Sequence, residues 1–252
     1  MLAIRRGSFF SWLAASAFVF VAWPAHAADL KVFGDGPLRP MLVKIAETYQ
    51  QERGRTVEYA FGISPVIHKR IADGEAADVL IIQPDFIAEL IKAGKVVPGN
   101  HPVIARFAIG VAVRADVPAR DVSSPQKLKD ALLAADSIIF NNVATGNYFA
   151  SVLDKLGIAE TIKTKVVRVV PAETFSRIMQ GKGTDIGVGT VPQIMAEKGL
   201  KLLGPLPGEL QSPLLYAAAP MAGSKSAELA KNFIQYLSSS KAKEQFAAAG
   251  VN

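Results

Sequence analysis

The chain has 252 residues, with 28 Lys and Arg against 22 Asp and Glu, which gives a formal net charge of +6. The basic residues form no dense cluster, so the composition argues against nucleic-acid binding. There is no cysteine, which excludes disulfides and cysteine-linked lipid anchoring, and the fold must therefore be stabilised by its apolar core.

The first 27 residues have the pattern of a secretory signal peptide. Arg5 and Arg6 precede an apolar run, and Ala25-His26-Ala27 has the small-x-small pattern of a cleavage site. Cleavage after Ala27 predicts an exported, periplasmic chain of 225 residues with a formal charge of +4, since the removed segment contains two arginines and no acid. The arginine pair leaves both the general and the twin-arginine export routes open.

Short apolar segments alternate with amphipathic segments along the remaining chain. Strands are predicted near 30–33, 56–60, 78–82, 106–113, 137–140, 165–170, 185–188, 200–203 and 213–219. Helices are predicted near 37–52, 65–73, 85–92, 125–134, 147–156, 173–180, 191–198, 225–237 and 241–248. Alternating strands and helices predict an α/β fold with doubly wound, mainly parallel sheets.

Two strands interrupt this alternation and predict a two-lobed molecule. The segments 106–113 and 212–220 follow polar, proline-containing loops and have no ending that resembles a phosphate-binding loop. They are the expected crossings between a first lobe, 28–110 plus 213–252, and a second lobe, 111–212. A cleft between the lobes is the expected ligand site.

The strand-to-helix turns predict where a ligand would bind, because ligands of open α/β sheets lie beyond the carboxyl ends of the strands. Five such turns combine Gly, Ser, Thr or Pro with a helix start, and they read "GDGPLRP", "FGISP", "NNVATGNYF", "PAETF" and "GTVPQ". None contains a metal-ligand cluster, a GxSxG elbow, a phosphate loop or a dinucleotide fingerprint, so no metal and no cofactor are predicted.

The turn "FGISP" allows two interpretations. Ser64 followed by Pro65 is a common helix start, with the serine as a capping residue. The same serine could instead belong to an anion site, because a helix start offers free N–H groups and the positive end of the helix dipole. The other turns favour a converging set of uncharged donors, in which Ser64 both caps its helix and contacts a ligand.

Four segments resemble periplasmic solute-binding proteins of the molybdate-binding type, and the resemblance extends over 28–252. They are "HKRIADGEAADVLIIQPDFIAELIKAGKV", "VATGNYFASVLDKLGI", "GKGTDIGVGTVPQI" and "FIQYLSSSKAKEQFAAAGV". The resemblance implies a two-lobed periplasmic-binding-protein fold of type II, a cleft that takes a small anion, and an ABC-type permease as partner.

The pocket positions implied by the resemblance depart from the family pattern. Gly36 stands where a serine is usual, Thr190 where a tyrosine is usual, and Thr145 replaces a small residue, whereas Ser64 is retained. These departures predict that the pocket still takes a small anion but that the preferred anion differs from that of the family. It is either a molybdate-like oxyanion or a small organic acid. The predicted ligand-binding residues are Gly36, Ser64, Thr145, Gly146, Asn147 and Thr190.

A second set of residues is assigned less directly. Arg39 could bind a carboxylate or be solvated, and His68 could contact a ligand or lie at the surface or in the core. Glu173 could be a general base or a first-turn glutamate favoured by the helix dipole. Tyr148 completes this set because it follows the "ATGN" turn.

Two functions from different classes remain after these considerations, and a third, a sensor subunit for a membrane receptor, differs from the first only in its partner. The first is the monomeric substrate-binding component of an ABC-type uptake system, which needs no chemistry. The second is a periplasmic isomerase of a small tricarboxylic acid, similar to aconitate isomerase, built on the same scaffold. The absence of a recognisable catalytic constellation favours the first.

Overall fold

The computed structural model describes residues 28–251, and the predicted signal peptide lies outside the described residues. Ten strands and nine α-helices follow one another in this part of the chain. The strands are β1 (Leu30–Asp35), β2 (Val57–Gly62), β3 (Val79–Ile82), β4 (Val103–Phe107), β5 (Ile109–Arg114), β6 (Ile138–Asn141), β7 (Val166–Val169), β8 (Ile186–Thr190), β9 (Leu200–Pro205) and β10 (Leu214–Pro220). The helices are α1 (Arg39–Arg53), α2 (Ser64–Ala72), α3 (Pro84–Lys92), α4 (Pro125–Leu133), α5 (Ala144–Lys155), α6 (Thr174–Gln180), α7 (Val191–Ala196), α8 (Ala227–Leu237) and α9 (Ser240–Ala248).

The first lobe is built on a five-stranded sheet in the order β2-β1-β3-β10-β4. Strands β1, β2 and β3 are parallel, and β10 is antiparallel to both β3 and β4. One apolar cluster joins the sheet to α1, α8 and α9, and it includes Leu42, Phe233 and Phe246. A second cluster joins the sheet to α2 and α3 through Ile67 and Ile87. Both faces of the sheet are therefore covered, which explains why β3 consists of apolar residues only.

The second lobe repeats this arrangement with the strand order β7-β6-β8-β5-β9. Strand β6 is parallel to β7 and β8, whereas β5 is antiparallel to β8 and β9. Its core contains Leu128, Phe140, Phe149 and Val152. Each sheet is thus mixed: three neighbouring strands are parallel, and the other two strands are joined to them by antiparallel pairing.

The chain crosses between the lobes at two short segments. The predicted strand 106–113 is two strands, because it divides at Ala108: β4 pairs in the first sheet and β5 in the second. The Ala108 carbonyl accepts the Val191 N–H instead of a ladder bond, at 2.8 Å. The side chain of Gln211, just before β10, exchanges two hydrogen bonds of 2.9 Å with the Ile109 backbone and so fastens the two crossings together.

Candidate functional site

A cavity of about 240 Å³ lies between the two lobes, where the carboxyl ends of the parallel strands meet. Both lobes contribute to its walls. The first lobe contributes Asp35, Pro37, Ile63, Ser64, Pro65, Gln83, Phe86, Leu214 and Tyr216, and the second contributes Asn141, Val143, Ala144, Thr145, Pro171, Thr190 and Gln193.

The first-lobe wall contains a buried carboxylate that accepts the donors of Ser64. Asp35, the last residue of β1, is only 3% exposed. Its Oδ2 accepts the Ser64 backbone N–H at 2.8 Å and also the Ser64 hydroxyl. The Ser64 Oγ in turn accepts the Gln83 backbone N–H at 3.1 Å, so this hydroxyl is engaged both as donor and as acceptor.

Burial decides the protonation of Asp35. Removal from water raises the pKa of Asp35 to about 6, although the hydroxyl and N–H of Ser64 and the Gly36 N–H act in the opposite direction. The neighbouring Tyr216 is buried as well, and burial, with a smaller contribution from Asp35, raises the pKa of its phenol. This wall of the cavity therefore holds a carboxyl group that titrates near neutral pH beside a phenol that stays neutral.

The expected role of Ser64 as a cap is wrong. Ile63 occupies the N-cap position of α2, no side chain caps the helix, and Ser64 is the first helical residue. Pro65 has no N–H, and the Val66 N–H bonds to the Ile63 carbonyl at 2.9 Å. The start of α2 has thus used its donors within the protein, and the carboxylate that occupies it belongs to Asp35.

The second-lobe wall offers donors instead. The Asn141 Oδ1 accepts the N–H groups of Val143 and Gly146 at 3.1 and 3.0 Å and thereby caps α5. The first N–H groups of a helix have no intrahelical partner, which leaves those of Ala144 and Thr145 for a ligand. Both residues line the cavity, and no protein partner within 28–251 takes the Thr145 hydroxyl.

The close approach of α5 to β6 depends on Gly146. A Cβ at this position would lie 1.8 Å from the Asn141 carbonyl oxygen, which belongs to the backbone and cannot move aside. Gly146 itself does not line the cavity. Its role is to bring the start of α5, with its free N–H groups, to the end of the strand.

Three of the six predicted ligand-binding residues, Ser64, Thr145 and Thr190, line the cavity. The Thr190 hydroxyl donates to the Gln193 Oε1 at 2.8 Å, so both side chains are held at the second-lobe wall. Gly36 and Gly146 adjoin cavity residues without lining the cavity. That these residues bind the ligand stays a prediction.

The remaining predicted residues have other surroundings. Asn147 is exposed and accepts a hydrogen bond from Arg168. The guanidinium of Arg39 is exposed and stacks over the Phe61 ring, 4.4 Å from its centroid. The Tyr148 hydroxyl donates to the Leu210 carbonyl at 3.1 Å, within the second lobe.

His68 and Glu173 also lie away from the cavity. The His68 Nε2 is 3.1 Å from Glu89, and the His68 ring packs against Phe86, which itself lines the cavity. Glu173 is exposed in the short turn before α6. Among the residues that the structure describes, no Lys, Arg or His lines the cavity, and no group of three acidic or histidine side chains could hold a metal ion.

Sequence reasoning missed Asp35, Asn141 and Tyr216. A signal was present for Asp35, because an acidic residue stands at the carboxyl end of the first strand inside "GDGPLRP". Asn141 likewise ends a strand in "NNVATG". Tyr216 lies in the middle of an apolar strand, where nothing in the sequence distinguishes it from a core residue.

Comparison with known proteins places this geometry in a family. The model of the bacterial extracellular solute-binding proteins matches residues 30–252. Aconitate isomerase from Pseudomonas sp is 25% identical over 249 residues, which cover 95% of each chain. The molybdate-binding protein ModA from Escherichia coli (strain K12) is 22% identical over 228 residues, which cover 88% of each chain.

The fold agrees with solved structures of the same class. The periplasmic molybdate-binding protein of Azotobacter vinelandii superimposes with a TM-score of 0.70 at 20% identity, covering 88% of this chain and 98% of its own. No described helix has the length and apolar character needed to cross a bilayer. The predicted two-lobed α/β class and the resemblance to solute-binding proteins of the molybdate-binding type are confirmed, and the chain belongs to the family of bacterial extracellular solute-binding proteins.

Proposed function

We propose that this protein is the periplasmic substrate-binding component of an ABC-type uptake system and that it captures a small anion in the cavity between its lobes. One observation carries the proposal. The cavity is lined by both lobes, and its second-lobe wall includes Ala144 and Thr145, whose N–H groups and, in Thr145, the hydroxyl have no partner within 28–251. Such uncharged donors at a helix start stabilise an anion without a cationic side chain.

The rim of the cavity supports capture by lobe closure. Ile63 of the first lobe and Val143 of the second both line the cavity, and they are 53% and 40% exposed. Rotation about Ala108 and the Gln211 crossing would bring these apolar side chains toward each other over a bound anion. The closed form is the one that a permease would recognise, and a monomer is sufficient for it.

A thermal-shift screen tests the binding function. The protein, freed of co-purified ligand by unfolding and refolding, is mixed with molybdate, tungstate, sulfate, phosphate, citrate or either aconitate isomer. A ligand at about 100 times its Kd adds roughly 2.7 kcal/mol, which shifts the Tm of a chain of this size by about 5–10 °C. Absence of a shift with every anion, including in calorimetry, would contradict the proposal.

Matched variants locate the binding in the cavity. Thr145→Val removes a hydroxyl from the second-lobe wall and should weaken binding about tenfold. Thr174→Val is the control, because Thr174 is a buried threonine of the same lobe outside the cavity, with a hydroxyl that has no partner among the described residues. Equal affinity of both variants and the wild type would place the anion elsewhere.

N-terminal sequencing of the exported protein, with Ala28 expected as the first residue, tests the periplasmic location.

A second candidate function is isomerisation of a small tricarboxylic acid, and the buried carboxyl of Asp35 favours it. Burial raises the pKa of Asp35 to about 6, as a residue that takes a proton from one carbon and returns it to another requires. The relative that matches over 95% of the chain is an aconitate isomerase.

Proton NMR of a mixture of the protein with one aconitate isomer decides this second candidate. Appearance of the other isomer, and its loss in Asp35→Asn, would establish catalysis. Unchanged spectra at a protein concentration that saturates the ligand would leave binding as the function.

A further inference from the structure

The first-lobe wall of the cavity ends in an oxygen that has room for one more hydrogen bond. Both bonds from Ser64 reach Oδ2 of Asp35, and no distant residue of 28–251 donates to Oδ1. Asp35 is 97% inaccessible to solvent, yet it lines the cavity. Because Asp35 lines the cavity, a ligand that brings a donor can satisfy Oδ1, whereas a ligand that displaces water from this acceptor without replacing its hydrogen bond loses free energy.

The two walls therefore bind different chemical groups of the same ligand. Ala144 and Thr145 present donors on the second lobe, whereas Asp35 presents an acceptor on the first. Sulfate and molybdate carry only acceptors at neutral pH, so their oxygens would face the Asp35 carboxylate without a proton between them. A ligand that satisfies both walls has an anionic group at one end and a hydrogen-bond donor at the other.

We propose that Asp35 is a specificity-determining residue that accepts a hydrogen bond from the hydroxyl of the bound anion, so that the protein selects small hydroxy acids over fully ionised oxyanions. The inference rests on the proposed binding function and names the class of its ligand. The anionic end of the hydroxy acid binds at the start of α5, and its hydroxyl donates to Oδ1 of Asp35.

The rest of the lining favours an organic hydroxy acid over hydrogen phosphate, which also carries an O–H. Ile63, Phe86, Val143 and Leu214 give the cavity apolar surface that a carbon skeleton can cover. Its volume of about 240 Å³ leaves room for a carbon skeleton beside the anionic group.

A single free site on Asp35 also favours a hydroxyl over an ammonium group. Two hydrogen bonds already occupy Oδ2, and the Gly36 N–H lies close to the carboxyl group. One O–H satisfies what remains, whereas an ammonium would bring three N–H donors that need three acceptors.

Ligand series that differ by one substituent test the proposal with the wild-type protein alone. Malate, aspartate and succinate share a skeleton and carry a hydroxyl, an ammonium or a hydrogen at one carbon, as do lactate, alanine and propionate. Citrate and tricarballylate form a further pair, and phosphate and sulfate an inorganic one. In calorimetry at pH 7.5 we expect a hydroxy acid to bind about tenfold to hundredfold more tightly than its deoxy analogue.

Two variants assign the preference to Asp35. Asp35→Asn keeps an acceptor for the Ser64 N–H and offers an N–H₂ donor, so the hydroxyl preference should fall below about threefold and sulfate or molybdate should bind more tightly. Asp78→Asn is the matched control. Asp78 accepts the Lys31 N–H at 2.8 Å and the Ser224 hydroxyl at 2.6 Å in the same lobe, but it lies outside the cavity.

The outcomes separate this inference from the proposed function. Deoxy analogues that bind as tightly as the hydroxy acids, or molybdate or sulfate as the tightest ligand, would overturn the role of Asp35 and leave anion capture standing. Aspartate or alanine as the tightest of its series would replace the hydroxyl by an ammonium and overturn the proposal. Phosphate above every hydroxy acid would overturn the organic class, and no binding by any anion would overturn both proposals.

Discussion

The two walls of the interlobe cavity differ in what happens to the N–H groups at the start of a helix. At α2 in the first lobe, Pro65 removes one N–H and Asp35 accepts the N–H and the hydroxyl of Ser64, so the helix start is satisfied internally. At α5 in the second lobe there is no proline and no acid. The Asn141 side chain takes two N–H groups, and Ala144 and Thr145, whose N–H groups have no partner within 28–251, line the cavity.

The difference shows that a helix start is an anion site only if the protein leaves its donors free. Two similar sequence signals, "FGISP" and "NNVATGN", have opposite electrostatic results because a carboxylate from a neighbouring strand reaches only the first of them. The cleft is consequently asymmetric, with an acceptor on one wall and donors on the other. Three experiments break or sharpen this contrast.

Removal of the acidic group from the first-lobe wall should have the largest effect. Since burial raises the pKa of Asp35 from 3.8 to about 6, the folded protein holds the proton more tightly than the unfolded chain does. The stability linked to this group is therefore complete below pH 3.8 and is lost as the pH rises through about 6. The full loss is about 3 kcal/mol, of which about 2 kcal/mol falls above pH 4.5. Asp35→Asn should abolish it, as measured by urea unfolding of ligand-free protein between pH 4.5 and 7.5.

The chosen pH range lies above the pKa of Asp29, a carboxyl group whose pKa folding shifts downward. The Thr56 N–H, followed by Arg55 and the Thr56 hydroxyl, lowers the pKa of Asp29 to about 2, so Asp29 stays ionised throughout. Asp78→Asn serves as the control variant and should keep the slope of the wild type. Parallel pH profiles for Asp35→Asn and the wild type would show that Asp35 is not desolvated.

Gly146→Ala should disrupt the second-lobe wall by displacing the start of α5. The added Cβ would lie 1.8 Å from the Asn141 carbonyl oxygen, so α5 must move away from β6. We expect about 2 kcal/mol of destabilisation together with weaker anion binding, since the N–H groups of Ala144 and Thr145 move as well. Gly223→Ala, where a Cβ meets nothing within 4 Å, is the control. Wild-type stability of Gly146→Ala in urea unfolding would disprove the close approach.

The smallest effect should come from Arg39, the cation nearest to the first-lobe turn in sequence. Its guanidinium stacks on Phe61 at an exposed position and does not line the cavity. Arg39→Ala should cost about 0.5 kcal/mol of stability and leave the Kd for the anion unchanged. A Kd raised tenfold or more in calorimetry would mean that the ligand is held by a cation rather than by uncharged donors.

The sequence predicted the positions of most strands and helices, but it predicted only part of the site. The positions of the strands and helices follow from local apolar periodicity, because short apolar segments alternate with amphipathic ones along the chain. The division of 106–113 into two strands was missed, because it depends on the Val191 N–H and the Gln211 side chain, both distant in sequence. Thr145 and Thr190 were placed in the site because strand-to-helix turns converge in this fold class.

The sequence by itself determined the α/β class, the two crossings near 106–113 and 212–220 and the turns that meet at the cleft, because these depend on patterns among neighbouring residues. Only the tertiary structure decided the chemistry of the cleft. Asp35 and Ser64 are 29 residues apart, and their hydrogen bonds exist because β1 and β2 lie side by side. Burial between the lobes then shifts the pKa of Asp35, and no sequence pattern specifies how much water a side chain loses.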